Sequence, residues 1–390
     1  MGANTLTGHI PTIFQALDMV ARESIGFIPA VRINSQAEIA AVGETIQYHV
    51  VPALTSGDVT PAAYPPDYSG VTVSYDTMTI SKSKVVPFGF TGEEQRGLRN
   101  ARGLGNDNYD TILRDLYAQA FRVIVNEVEA DLALLYKAAS RAYGTAATAP
   151  FGTAGDLSDI AQIRKILTDN GCPASDLHLV LGTSAIANLR GKQNVLFKVN
   201  EAGTDELLRK GVIGMLEGFM IHESAQVKDH TKGTGASYLV NNASNYAVGS
   251  TTIAADTGTG TILAGDILTD SQSGVDSNKY VVKTALSAGS LVINNPGLKK
   301  AWADNDTLAV GNSYTANLAF HRDSMQLVAR QPLMPEGGDG ASDVMTAVDP
   351  VSGLAFQIAM YGQYRQRRIE VGLAWGVKAN KSEYIATLLG

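Results

Sequence analysis

Apolar residues at helical spacing appear early in the chain. Ile13, Leu17 and Val20, with Phe14 and Ala21 beside them, predict a short helix over 12–22, which Gly26 and Pro29 break. Alternation then takes over. In "GVTVSYDTMTISKSKVV", Val71, Val73 and Tyr75 fall on one face and Thr72, Ser74 and Asp76 on the other. With the earlier run "TIQYHVVPAL" and the Pro/Gly-rich tip "TSGDVTPAAYPPDYSG" between them, this predicts a long hairpin over 43–90. Two strands alone carry too little side chain to form a core, so the hairpin needs a partner surface. Thr91, followed three residues later by Glu94, is a capping-box signal for a short helix.

Helical spacing then returns and persists. From Asn106 to Tyr143 there is neither Gly nor Pro, and apolar residues from Leu113 to Ala139 step by three and four. One long helix over 106–144 is predicted, on the order of 50 to 55 Å at 1.5 Å per residue. Residues 156–190 read as helix–strand–helix. Ile160, Ile163 and Leu167 form the first apolar face, Gly171 is the stop, "LHLVLG" is a buried strand, and Thr183 or Ser184 is the next cap.

Between Lys228 and Thr315 the composition changes. These 88 residues hold six Lys and seven Asp but no Arg and no Glu, and short β-type runs alternate with Gly, Asn, Asp and Ser turns. The pattern predicts a small all-β sandwich or barrel inserted into the larger fold.

The whole chain has 390 residues, 45% hydrophobic, with a formal charge of −7. That balance argues against a protein whose main work is gripping nucleic-acid phosphates. Cys172 is the single cysteine, so no disulfide forms within the chain, and a small buried side chain is the expectation. The N-terminus has no basic and apolar regions of a secretory signal, and Leu6 stands where myristoylation wants Ser or Thr. No apolar run is long enough to span a membrane. A soluble cytoplasmic protein is expected.

Catalytic motifs fail one after another. "RKGVIGMLEGFMIHESAQV" sets Gly211, Gly214 and Gly218 in a row but lacks the Lys and Ser/Thr of a phosphate loop. Those glycines read instead as sites of tight turns and close backbone packing. His222 and His230 with Asp229 are the nearest thing to a histidine cluster, and solvated or satisfied side chains are the expectation there. Arg365, Arg367 and Arg368 in "QYRQRR" read as a strand edge or loop paired with carboxylates of this or a neighbouring chain, with packaged DNA as the sharper alternative. No catalytic constellation, cofactor or metal is expected.

The order of elements resembles the major capsid proteins of tailed bacteriophages, the HK97-like fold. "LLRKGVIGMLEGFMIHESAQV" resembles the family's Gly-punctuated axial segment. "NLAFHRDSMQLVARQPLMPEG" and "VGLAWGVKANKSEYIATLLG" resemble strands of the short-tailed podophage coat branch, which carries an inserted β domain. The resemblance implies an α+β fold with an N-terminal arm (1–42), an E-loop hairpin (43–90) and a peripheral domain (91–144) whose spine helix covers 106–144. It further implies an axial domain in two parts (145–227 and, with a peripheral strand, 316–390) around an inserted β domain (228–315).

By the same resemblance, the function would be self-assembly into an icosahedral shell enclosing double-stranded viral DNA, in the virion and assembled in a bacterial cytoplasm. Partners would be further copies, a separate scaffolding protein, a portal protein and a decoration protein, with no membrane. Contacts between copies would fall at Tyr64, Asp67 and Tyr68 on the hairpin tip, at Arg96 and Arg99, and at Arg365, Arg367 and Arg368. The 42 residues before the hairpin leave no room for a built-in scaffolding segment. Lys82 and Lys84 lie at the hairpin's base, so covalent crosslinking through it is not expected. The alternatives are an encapsulin-type compartment and a cytoplasmic hydrolase with a β accessory domain.

Overall fold

The computed structural model describes residues 23–50, 56, 73–99, 108–193, 213–271 and 276–390. The helix expected over 12–22 lies outside them, as does nearly all of the hairpin tip. Strands are numbered in chain order below.

Two sheets share one long helix. The first has six strands: β1 (Arg32–Ala40), β4 (Lys82–Thr91), β17 (Met325–Pro332), β18 (Ala341–Val348), β19 (Ala355–Gln363) and β20 (Gln366–Ala379). β20 is the hub. It pairs antiparallel with β19, β17 and β4, while β1 runs parallel to β17. One face of this sheet covers the long helix, burying Leu113, Tyr117, Phe121, Ile124 and Val128 against Phe356, Ile358, Val371 and Trp375.

That helix runs Asn108–Ala133, shorter than the 106–144 expected. Leu134–Ala138 tighten into a 3-10 turn, and β5 (Arg141–Tyr143) follows. The reason is tertiary. The Asn294 amide donates to the carbonyls of Lys137 at 2.8 Å and Ala139 at 2.9 Å, and the Ser140 amide turns to the Ile385 carbonyl at 2.8 Å. Helical period continues in the sequence, but distant partners take the backbone groups that would extend it.

The second sheet sets β5, β21 (Ile385–Leu389), β16 (Tyr314–His321), β6 (Leu177–Leu181), β8 (Phe219–Glu223) and β7 (Met215–Leu216) side by side, and β9 (Asp229–His230) pairs with the start of β16. Helices Ser158–Asp169 and Thr183–Lys192 cover it, and Ile160, Ile163, Leu189, Leu179 and Phe219 form a separate core. Gly171 stops the first helix as expected. It has φ +77°, its amide reaches Thr168 O at 2.9 Å, and the Cys172 amide reaches Leu167 O at 3.0 Å, a Schellman closure. Neither Thr183 nor Ser184 caps the second helix: Gly182 holds that position, and Thr183 is already helical.

The composition shift marks a closed structure. β10 (Tyr238–Val240), β11 (Thr252–Asp256), β14 (Ser290–Ile293), β13 (Lys279–Ser287), β12 (Ile267–Asp270) and β15 (Thr307–Val310) pair antiparallel in that order, and β15 returns to β10. Six strands thus form a barrel without a free edge. Its own core includes Trp302, Tyr280, Leu308, Ile253 and Val282. It is not separate from the body, because β13 also pairs with β5 through Tyr280 and Arg141.

The expected hairpin is two elements rather than one. β2 (Thr45–Val50) and β3 (Ser74–Thr79) form a two-stranded ribbon of their own, but the return run continues as β4 and belongs to the six-stranded sheet. Ser81 marks the change, its amide bonding to the Trp375 carbonyl at 3.1 Å.

Candidate assembly surfaces

Three features bring distant parts of the chain, or groups of charges, together at the surface of this fold. The first is where the N-terminal segment enters. Glu129, fully buried near the C-terminal end of the long helix, accepts from the amides of Gly26 (2.5 Å), Phe27 (2.7 Å) and Ile28 (3.0 Å) and from the Ser224 hydroxyl (2.9 Å). The amides belong to the start of a one-turn helix, Phe27–Ala30, too short to hold itself in water. Burial pushes the Glu129 carboxyl up, and the four donors act in the opposite sense by favouring the carboxylate. Beside it, Glu23 takes Arg122 at 3.0 Å and the Gln226 amide at 2.6 Å. Gly26 fits because a Cβ there would press on the Glu223 carbonyl.

The second is the root of the β2–β3 ribbon. Lys378 reaches Asp76 at 2.5 Å and the Thr77 carbonyl at 2.7 Å. A Cβ at Gly376 would collide with the Thr79 carbonyl, so the ribbon crosses β20 at closest approach. Lys82 and Lys84, two apart on β4, pair with Asp131 (2.7 Å) and Glu127 (2.6 Å), four apart on the long helix. The spacings match at about 6 to 7 Å each. Asp131 also accepts from the Trp375 indole at 2.8 Å. Both lysines are therefore engaged in the chain's own fold.

The third is the far end of the six-stranded sheet. The capping box forms as read: Thr91 N to Glu94 Oε2 at 2.8 Å and Glu94 N to Thr91 Oγ1 at 3.2 Å, opening the helix Gly92–Arg99. Its Gly92 amide bonds to the Arg365 carbonyl at 3.2 Å. Arg96 is thereby brought, exposed, to the same end as Arg365, Arg367 and Arg368, and Arg99 closes that helix. Arg365 lies in the two-residue β19–β20 turn, its guanidinium 5.5 Å from the Tyr364 ring centre, and Arg368 pairs with Glu370 at 2.6 Å. Tyr64, Asp67 and Tyr68 lie outside the described residues.

The other candidates resolve into structural roles. Gly218 (φ +82°) and Glu217 (φ +49°) form the two-residue turn joining β7 to β8, a tight turn and not a phosphate cradle. Gly211 lies outside the described residues. His222 and His230 do not meet. His222 stacks on His178 with 3.0 Å between ring nitrogens, whereas His230 sits between the Tyr136 hydroxyl (2.8 Å) and Asp266 (2.7 Å). Burial pushes the Cys172 thiol up to about 11, which makes it a poor nucleophile. No group of three metal-ligating side chains occurs among the described residues, and no described helix is long and apolar enough to cross a membrane. Sequence reasoning missed Glu129, the Tyr136–His230–Asp266 chain and Asn294, each of which includes a partner 94 or more residues away in sequence.

No protein-family model matches the chain, and no curated protein matches it in sequence. Solved structures do match in shape. The capsid structure of the cyanophage P-SCSP1u aligns over 94% of this chain and 88% of its own, at 10% identity and a TM-score of 0.51. The mature capsid of bacteriophage PhiM1 aligns over 93% and 86%, at 11% identity and 0.47, and the virus-like particle from Pyrococcus furiosus over 97% and 96%, at 8% identity and 0.41. The fold of this chain, mixed α and β around one long helix, is thus similar to that of a phage capsid protein.

Proposed function

We propose that this chain is a major capsid protein that assembles with copies of itself into an icosahedral shell around double-stranded viral DNA. The carrying observation is the fold match to the cyanophage capsid structure over 94% of the chain. The surfaces described above support it. The segment clamped to the helix through Glu129 and the ribbon that crosses β20 at Gly376 both join the core at their roots, and they would be the segments through which copies reach one another. Many weak contacts of that kind sum to a strong shell. A scaffolding protein, a portal and a decoration protein would be its partners, with the ribbon as the E-loop, the long helix as the spine and the barrel as the inserted domain.

Negative-stain microscopy and sedimentation of purified protein test the reading. Megadalton closed particles are expected, and a species no larger than a small oligomer under all assembly conditions would overturn it. Nucleic acid inside particles from infected cells is expected, and enzyme cargo in its place would favour an encapsulin-type compartment. Deleting residues 56–70 should leave folded subunits that form no shells.

A further inference from the structure

We infer that the His178–His222 pair is an acid trigger for the N-terminal segment, releasing residues 23–31 from the body while both sheets stay folded. The release needs no second copy of the chain.

The two rings share one proton. His178 Nδ1 lies 3.0 Å from His222 Nε2, so one nitrogen donates and the other accepts, and with both rings charged two N–H groups would face each other. The other nitrogen of His178, Nε2, is buried and has no partner among the described residues. A proton added to this ring is thus a charge with a donor that finds no acceptor. The surroundings do not offset it. Burial opposes a charge on His178 first, His222 and Arg322 oppose it next, and His321 adds to them, while Asp176 acts the other way. Burial also opposes a charge on His222. Glu223, the carboxylate that follows His222, is taken by Arg190 at 2.9 Å.

Two routes join the pair to the segment. One is a column of rings. His222 stacks on His178 with 5.2 Å between centres, His178 on Phe320 with 6.2 Å, and Phe320 on Phe27 with 6.4 Å. Phe27 is the middle one of the three residues whose amides Glu129 holds. The other route is the chain that follows His222. The Glu223 carbonyl accepts from the Ser24 hydroxyl at 2.9 Å, and the Ala225 amide bonds to the Ser24 carbonyl at 3.2 Å. Gln226 reaches Glu23 at 2.6 Å, and Ser224 acts through Glu129. If charge drives the rings apart, the strand that makes these bonds moves with His222. The segment is the weakest element in reach, because its helix is a single turn whereas β6 and β8 are paired within a sheet.

Glu129 is the other titrating group at this joint. Burial raises it, opposite in direction to the histidines, so acid acts on it in the stabilising sense. Variants separate the two.

Hydrogen exchange read segment by segment, corrected for the intrinsic effect of pH, tests the trigger. A histidine neutral when the segment is docked and charged when it is free raises the release equilibrium by up to about tenfold per pH unit below about 6.5. From about pH 6.5 to 4.5, wild-type protection at residues 26–28 should fall by about tenfold or more, while β16 and β20 keep theirs. His178→Phe with His222→Phe keeps the column without titration, and its protection at 26–28 should stay level. Glu129→Gln, with both histidines in place, should retain the pH dependence. Level protection in wild type would overturn the trigger. So would an equal fall in the double variant, or a wild-type fall shared by β16 and β20, which is unfolding of the whole body.

Discussion

The Glu129 carboxylate receives the Phe27 amide at 2.7 Å, although 102 residues separate them, and so joins the N-terminal segment to the last turns of the long helix. One buried side chain does the work of a cap, a lock and a register mark. Replacing it with Ala strands three amides and a hydroxyl in a dry interior. Each unsatisfied group costs about 1–3 kcal/mol, with partial relief by relaxation. We expect Glu129→Ala to lose about 3 kcal/mol or more in urea unfolding and to expose the segment around residues 23–31 to protease. Glu129→Gln, which keeps one acceptor oxygen, should fall between.

The His178–His222 pair predicts an acid weakness. Burial, followed by the proximity of His222 and Arg322, pushes His178 down to about 4, and burial also lowers His222. An ordinary histidine titrates near 6.5. The unfolded chain therefore binds more protons than the fold, so stability rises with pH across this window. The pair's contribution is complete above about pH 6.5 and is lost as pH falls toward 4. His178→Phe keeps the stack on Phe320 and removes one titrating group. Its melting temperature should depend less steeply on pH between 6.5 and 4 than that of wild type.

Asp131 ties three elements together, with Lys82 from β4 on one oxygen and the Trp375 indole from β20 on the other. Asp131→Ala leaves a buried indole N–H without its acceptor, for a loss of about 2 kcal/mol. Asp131→Asn keeps an acceptor and should lose less. The shift in Trp fluorescence on unfolding reports both.

Inside the barrel, Trp302 packs edge-on to Tyr280 at 5.5 Å between ring centres and donates to Asp276 at 3.2 Å. Trp302→Ala opens a cavity worth about 3–5 kcal/mol. Because the barrel has a core of its own, hydrogen exchange should accelerate in 238–310 well before it does in the long helix.

Features whose cause is local were legible. The Thr91–Glu94 box, the Gly171 stop and the turn at Gly218 each depend on residues within five positions, and each forms. The barrel was legible through composition, although its closure into a ring was not, because strand pairing leaves no trace in short β-type runs. The end of the long helix misled, since "LLYKAAS" keeps helical period while Asn294, 155 residues on from Ala139, takes the carbonyls. Glu129 was invisible for the same reason: a lone glutamate on a helix reads as solvated until the segment at 26–28 folds over it. The arginines at 365–368 were singled out by type, but only the β4–β20 register set Arg96 beside them.

The barrel's closure bears on how force passes through the subunit. A ring with all six strands paired offers no edge, so it holds the body only where it is pinned. Asn294 grips the turn after the long helix, His230 and Asp266 grip Tyr136 of that turn, and Asn278 grips Arg141 immediately beyond. These pins crowd into residues 136–141, and the β13 pairing at Ala142, Lys299 on the Asp169 carbonyl (3.1 Å) and the Tyr314 hydroxyl on the Gly265 carbonyl (2.7 Å) add to them. A pull on the barrel's outer end is therefore delivered first to the turn that follows the long helix, where the pins are densest.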